Sequence, residues 1–380
     1  MCHYSYKESK RIRESYKILP FQGIWTWITG KELYGRTQLW KTTSVEVLIW
    51  SLIWTIMGIF LTNYSINNIY SINYIALVIG SILSASGARY IVATVIHQSV
   101  HGNLLFGKKD EYLTEILSFL LIVEPYKSYK NVHVTEHHGK EFGTLLDKDL
   151  SAIYSLGFTP GKTIKKLYLN LLVQLFNPIF HYLFFKNRLK ANILNDSIKR
   201  SILTIIYITF LMYISINNGI LWSIVVIIFP FIILYQISSL LHLITEHSWI
   251  LRKDNESVKD SHYKNSLGRF CGSTCPNEYS FSTIKDWTKW FIIQLIYHLP
   301  TRLLILQGSL TCHDWHHRFG KNNNWMDFSS SRESYANELY ESNKFDLIET
   351  WGYLSSLNYV FNTISRSEKV NLRNLEFRLN

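Results

Sequence analysis

Closely spaced histidines are the residues of this sequence best suited to chemistry. Most of the fourteen histidines fall into four clusters, which read HQSVH (97–101), HVTEHH (133–138), HLITEH (242–247) and HDWHH (313–317). Neutral imidazole is a good ligand for iron, zinc and copper. One HxxxH pair on a helix is common without a metal, but two separate clusters that end in His-His are not expected by chance. The pattern predicts a metal site.

The number of imidazoles indicates which metal the clusters bind. Nine or ten exceed the four ligands of a tetrahedral zinc ion, and they suit two iron ions with positions left open for oxygen. A zinc hydrolase is not favoured, because the sequence contains no HExxH motif. A membrane b-type cytochrome is a distant alternative. It would need haem-binding histidines within facing spans, whereas these clusters lie at span ends or in polar segments.

The elements that must position these histidines are helices in a membrane. Four segments are apolar and long enough to cross a bilayer, which takes roughly 20 helical residues: 47–64, 74–96, 201–217 and 220–241. Their connections, 65–73 and 218–219, carry no charge, whereas the remaining segments are rich in Lys and Arg. The positive-inside rule therefore places both termini and the long middle segment in the cytoplasm. A soluble protein with buried core helices is the alternative.

The predicted fold class is an all-α integral membrane protein. It has two transmembrane helical hairpins, about four spans and possibly six, and a cytoplasmic helical cap that carries the histidine clusters. Residues 165–185 and 287–306 either lie along the membrane surface or form further spans. The predicted domains are a basic cytoplasmic N-terminal segment (1–43), a membrane domain (44–330) and a cytoplasmic C-terminal helical tail (331–380) with a helix at 343–365.

Several single residues carry smaller predictions. Arg89 and the small residues around it indicate that the second span faces a protein interior, and Pro230 predicts a kink in the fourth. The net charge of +11 would suit nucleic acid, anionic lipid or an acidic protein. Membrane topology accounts for this charge, so no nucleic-acid partner is predicted. The cysteines are expected to be reduced thiols, and these are Cys2, Cys271, Cys275 and Cys312.

The order HQSVH, HVTEHH and HDWHH, with a spanning pair between the second and third, resembles the membrane fatty acid desaturase and alkane hydroxylase superfamily. Its signature is HxxxH or HxxxxH, then HxxHH or HxxxHH, then HxxHH. The resemblance covers about residues 45–330. Members take one further ligand from the end of the fourth span, in a motif that ends in Glu-His. Here Glu246-His247 matches that motif.

The resemblance implies a set of metal ligands and a set of supporting residues. The ligands would be His97, His101, His133, His137, His138, His247, His313, His316 and His317. His242 is a possible additional ligand. Carboxylates in or after the boxes would hydrogen-bond to the second nitrogen of ligand imidazoles, and these are Glu136, Asp147, Asp149, Glu246 and Asp314.

The resemblance also implies a reaction and partners. The expected activity is an oxygen-dependent di-iron desaturase that introduces a double bond into a fatty acyl chain, with two iron ions as cofactor and dioxygen as co-substrate. The alternative is a hydroxylase, ketolase or decarboxylating monooxygenase of the same superfamily. The acyl group would be linked to CoA, a carrier protein or a lipid. The electron donor would be a ferredoxin, rubredoxin or cytochrome b5, and the protein would be a multi-pass membrane protein with its active site on the cytoplasmic side.

Overall fold

Two compact, mostly helical units make up the chain. The computed structural model describes residues 4–36, 41–68, 73–321 and 325–370. The first unit comprises the described residues within 1–43, 138–167 and 241–374, and the second comprises those within 44–137 and 168–240. The units are therefore interleaved along the sequence, whereas the predicted domains are consecutive. Cys2 and the last ten residues of the predicted tail lie outside the described residues.

Four helices are long and apolar enough to cross a membrane, which confirms the predicted all-α membrane class. They are Ser44–Asn67, Asn73–Val100, Ile198–Asn218 and Ile220–Glu246. A fifth candidate coincides with the open segment 165–185, where helices Ile164–Phe176 and Pro178–Ile193 meet at a 64° bend. Residues 287–306 contain no candidate span within the part of the chain that the structure describes.

The remaining helices of the second unit are short. They are Lys108–Leu120 and Tyr126–Lys130, and a third helix, Asn131–Lys140, begins in this unit and ends in the first.

Small residues let the first two spans pack at close range. A Cβ atom added to Gly58 would lie 2.2 Å from the backbone nitrogen of Ser84, and one added to Gly87 would lie 2.5 Å from that of Thr55. Such contacts are how membrane helices associate without a hydrophobic driving force. Arg89, on the second span, is buried. Its Nε donates to Ser238 Oγ at 3.2 Å, as expected for a charged residue that faces protein.

Three π-helical segments interrupt the helices near the histidine boxes. Ile91–Ile96 directly precedes the first box, Asn131–Lys140 contains the second, and Ser223–Leu234 lies upstream of His247 in the fourth span. Pro230, for which the sequence predicts a kink, lies inside the last of these. A π-helical turn widens the helix and changes the direction of the side chains that follow, and such turns are frequent at functional sites.

The first unit is built around a two-stranded parallel sheet. Strand β1 (Leu267–Phe270) pairs with β2 (Ile348–Trp351), and Leu267 lies opposite Ile348. The helices of this unit are Tyr6–Glu14, Ser15–Ile18, Gln22–Thr29, Lys148–Ser155, Val258–Asn265, Phe281–Thr283, Ile284–Ile293, Gln294–His298, Thr301–Ile305, Gly308–Thr311, His313–Arg318, Trp325–Asp327, Phe328–Glu341 and Tyr353–Arg366.

The C-terminal tail differs from its predicted form. The sequence predicts one helix at 343–365, but β2 occupies 348–351 and the helix begins only at Tyr353. Gly352, with φ of 82°, separates the two elements because a positive φ is readily adopted by glycine. The strand forms because β1 offers it a full set of backbone partners, which the local sequence does not reveal.

Candidate metal centre

The third histidine box lies on a short helix of the first unit, His313–Arg318. Its histidines, His313, His316 and His317, are spaced i, i+3 and i+4, which places them on one face of the helix. Trp315 packs into the aromatic core of this unit. The helix therefore separates imidazoles on one side from packing residues on the other.

Three imidazole nitrogens of the first unit meet at one point. His313 Nε2 lies 3.0 Å from His247 Nε2 and 2.9 Å from His317 Nε2. Hydrogen bonds do not account for this, because a neutral imidazole nitrogen carries either one proton or one lone pair. Two nitrogens bound at right angles to one ion, each at about 2.1 Å, would lie about 3.0 Å apart. The donor set thus fits a metal ion.

A second pair of nitrogens in the first unit shows the same approach. His138 Nε2 lies 3.2 Å from His316 Nε2. The ring of His138 stacks on that of His317 at 4.1 Å between centroids, with an interplanar angle of 5°. These contacts link all five predicted ligands of this unit, which are His138, His247, His313, His316 and His317.

The second unit brings its own histidines together. His97 Nε2 lies 2.9 Å from His133 Nε2, and His101 offers a nitrogen within 4.8 Å of a nitrogen of each. The ring of His137 stacks on that of His133 at 5.6 Å between centroids. The first box stands at the end of the second span and the second box in the π-helical segment. Each unit therefore holds a histidine set that fits metal binding.

A model of the family described as Fatty acid desaturase matches residues 72–300, which is more than half of the chain. This chain belongs to the fatty acid desaturase family. The matched region contains the first two boxes and His247, and it ends before the third box. No curated protein and no solved structure matches the chain.

In this desaturase-family chain, the surroundings keep His313 neutral and orient His247. Burial lowers the pKa of His313 well below its usual value, so its imidazole is uncharged, as metal binding requires. His247 directs Nε2 towards His313, while its Nδ1 lies 3.3 Å from the hydroxyl of Ser266. A hydrogen bond at the second nitrogen is the usual way to fix the ring of a ligand histidine.

The predicted supporting carboxylates occupy different environments. Glu246 Oε1 lies 3.1 Å from His313 Nε2. Glu136 Oε1 accepts from Asn131 Nδ2 at 2.7 Å. Asp147 precedes helix Lys148–Ser155, and its Oδ1 accepts from the backbone nitrogen of Asp149 at 3.0 Å. Glu246 is therefore in direct contact with the nitrogen of a predicted ligand.

Asp314 has a partner other than the predicted imidazole. Arg332 Nε donates to Asp314 Oδ1 at 2.8 Å, and Arg332 Nη2 donates to Asp314 Oδ2. Both carboxylate oxygens of Asp314 are thus engaged by one guanidinium. Asp314 anchors the third box to helix Phe328–Glu341. Asp314 pairs with Arg332 instead of an imidazole because it points away from the helix face that carries the histidines.

His242, the possible additional ligand, lies beside the site. Its Nε2 is 3.4 Å from Glu246 Oε1, and its Nδ1 is 3.4 Å from a guanidinium nitrogen of Arg269. His242 does not belong to any of the three groups of converging ligand atoms among the described residues. Its position is next to a carboxylate rather than in the imidazole set.

His262 and Arg269 are buried near the site, although no sequence motif selects them. The ring of His262 stacks on Phe142 at 3.8 Å and on His317 at 4.5 Å between centroids. Arg269 Nη1 donates to the carbonyl of His242 and its Nη2 to that of Leu310. Neither residue belongs to a spaced motif, so periodicity carries no signal for them. Arg269 lies in sequence between His247 and the third box, and its burial becomes visible only in the folded structure.

Proposed function

We propose that this chain is an oxygen-dependent di-iron desaturase that introduces a double bond into a fatty acyl chain. Family membership supports an oxidoreductase of the desaturase type. The observation that carries the proposal is the approach of imidazole Nε2 atoms to about 3 Å in each unit, at His97 and His133 and at His313 and its neighbours. Converging imidazole nitrogens suit iron.

The proposal takes its ligands from the resemblance, which names histidines of both units. The nine histidines named from the resemblance would together hold two iron ions. Bound iron supplies the oxygen chemistry that breaking an unactivated C–H bond requires.

The reaction balances with an external electron donor. Two neighbouring methylene groups give up two hydrogens, a C=C bond forms, and a donor supplies two electrons that, with two protons, complete the reduction of dioxygen to two waters. The protein residues would hold the metals through imidazole nitrogens. Burial keeps the imidazole of His313 neutral, and Ser266 orients the ring of His247. The net charge of +11 favours an acidic donor such as a ferredoxin, rubredoxin or cytochrome b5.

The proposal also includes the side of the membrane on which the active site lies and the class of substrate. The distribution of Lys and Arg favours a cytoplasmic location for both termini and the active site. The substrate is an acyl chain linked to CoA, a carrier protein or a lipid. Mass spectrometry of lipids from an expressing host distinguishes the reactions of the superfamily, because desaturation removes two hydrogens and hydroxylation adds one oxygen.

Replacing His316 with alanine tests the ligand assignment. The variant is expected to lose turnover and to hold less iron than wild type, while still reaching the membrane. His298→Gln is the matched control. His298 is a buried histidine whose Nδ1 accepts from the backbone nitrogen of Gly272, and it belongs to none of the groups of converging ligand atoms among the described residues. Full iron content in His316→Ala would refute the assignment.

A further inference from the structure

Helix Ile284–Ile293 of the first unit continues as Gln294–His298, and it has one buried and one exposed face. The buried side chains follow the spacing of one helical face, and they are Trp287, Trp290, Gln294 and His298. Gln294 Nε2 donates to Tyr16 Oη at 3.0 Å, and Trp290 Nε1 donates to the carbonyl of Ser273 at 3.1 Å. These contacts fix the helix to its unit and so determine which side chains face outward.

The exposed face changes from basic to apolar along the helix. One stripe, spaced i, i+4, i+7 and i+11, consists of Lys285, Lys289, Ile292 and Ile296. The two lysines are exposed, and among the described residues they form no ion pair. Ile292 is 49% exposed and Ile296 is 68% exposed. The outward face therefore carries unpaired positive charge at one end and large apolar side chains at the other.

Two neighbouring segments of the first unit add to the apolar surface. The ring of Tyr279 stacks on that of Trp287 at 4.8 Å between centroids, and the ring of Trp25 packs on that of Trp290 at 5.5 Å. The large exposed side chains of these two segments are Phe21, Ile24, Tyr279 and Phe281. Phe281 is 96% exposed. Exposed apolar side chains in such number mark a surface that binds a partner.

The course of the chain places a bilayer next to this unit. Thr43 ends the first segment of the unit and is followed directly by the span Ser44–Asn67, and the span Ile220–Glu246 ends within the unit. A surface tethered in this way needs little affinity of its own to bind lipid, because the tether raises its effective concentration. Basic residues beside apolar and aromatic ones are typical of helices that lie in a membrane interface.

We propose that this surface, which comprises Phe21, Ile24, Tyr279, Phe281 and the exposed face of residues 284–298, docks on the lipid bilayer. Lys285 and Lys289 lie at the level of the anionic phosphate groups, and Ile292 and Ile296 enter the acyl region. The stripe extends over about 16 Å of the helix axis, and its change of character tilts the helix so that the C-terminal end lies deeper. Residues 287–306 are then a surface anchor of the first unit and not a span.

The test measures the depth of the stripe with spin labels on single cysteines. The full-length protein carries Cys2→Ser, its other three cysteines are buried, and it is placed in nanodiscs of phosphatidylcholine and phosphatidylserine. The labelled variants are Lys285→Cys, Lys289→Cys, Ile292→Cys and Ile296→Cys. Collisions of each label with O₂, which concentrates in lipid, are compared with collisions with a water-soluble nickel chelate.

The collision ratio of O₂ to nickel is expected to rise in the order 285, 289, 292, 296. Labels at the two isoleucine positions are expected about 5–10 Å below the phosphates, which is the usual depth of an interfacial apolar face. Labels at the two lysine positions are expected at the phosphate level. All four positions are exposed and report separately, so the loss of one variant to misfolding leaves the others to decide.

Phe291→Cys and Tyr340→Cys are the matched control pair. Both residues are aromatic and belong to the first unit, and they are 49% and 45% exposed. Tyr340 is followed by exposed polar residues at 341–344, so its label is expected to collide with nickel as a label in water does. The label at position 291 is expected to be shielded from nickel and open to O₂.

Two results would overturn the proposal. Nickel access at Ile292 and Ile296 equal to that at Tyr340 would place this face in water. Shielding of both positions from nickel and from O₂ alike would show that protein covers the face, whether a second copy of the chain or another segment of the same chain.

Discussion

Replacing Arg332 with methionine removes the central cation of a buried ion network in the first unit. Arg332 donates to both oxygens of Asp314 and, through Nη1, to Glu349 Oε1 at 2.6 Å. Lys31 Nζ lies 3.0 Å from Glu349 Oε1 and 2.6 Å from Glu333 Oε2. Every side chain in the network is at most 3% exposed. Methionine would therefore leave Asp314 buried without a cation.

The size of the effect follows from burial. Removing one partner of a buried, hydrogen-bonded ion pair costs about 3–5 kcal/mol, because the remaining charge stays uncompensated. In a domain of 150–250 residues, 1 kcal/mol shifts the unfolding temperature by about 2–4 °C. We therefore expect Arg332→Met to lower the unfolding temperature of the first unit by about 6–20 °C. Arg332→Lys keeps the charge but loses the two-pronged contact with Asp314, so a smaller decrease is expected.

The assay is thermal unfolding of purified protein in one detergent, followed by tryptophan fluorescence at a fixed heating rate. Lys17→Met is the matched control, because Lys17 forms an exposed pair with Glu14 at 3.4 Å. Such a pair contributes about 0–1 kcal/mol, which corresponds to a shift of less than about 4 °C. Equal shifts in Arg332→Met and Lys17→Met would refute the reasoning, since burial would then have no influence.

Two other properties of the first unit are open to simple measurement. Burial alone would raise the pKa of Glu349, but Lys31 and Arg332 lower it to about 2. Its pKa is thus lower in the folded state than in the unfolded state, so it stabilises the fold above pH 4.5, and this stabilisation is lost as pH falls towards 2. Glu349→Gln is expected to flatten acid unfolding in that window, as followed by fluorescence. Burial also raises the pKa of three thiols to about 12. In a Cys2→Ser background they are expected not to react with a maleimide at pH 8 until the protein is denatured, because the thiolate is the reactive form. Labelling of the folded protein would contradict this for Cys271, Cys275 and Cys312.

The spans could be predicted because each depends on local composition. A helix that crosses a bilayer needs about 20 apolar residues, and the predicted segment 201–217 lies within the helix Ile198–Asn218. The histidine boxes were also visible, since each consists of residues a few positions apart. HDWHH predicts one helical face, and His313, His316 and His317 share that face.

The contacts that support the histidine boxes could not be predicted, because the residues that form them are distant in sequence. Arg332 is 18 residues from Asp314, and Lys31 is 318 residues from Glu349. Each of these residues taken alone reads as an ordinary surface charge. The same holds for Ser266, which is not part of any motif and nevertheless contacts His247 Nδ1.

Asp314 explains why the sequence cannot assign every polar residue of a box to the metal centre. It stands between histidines in HDWHH, and proximity in sequence favours a role towards an imidazole. On a helix, however, adjacent residues differ in direction by about 100°, so Asp314 leaves the face that His313 and His317 share. Gly268 leaves room for its actual partner, since a Cβ atom there would lie 2.6 Å from Arg332 Nη2. A bulkier residue at 268 would displace the guanidinium that holds the third box in place.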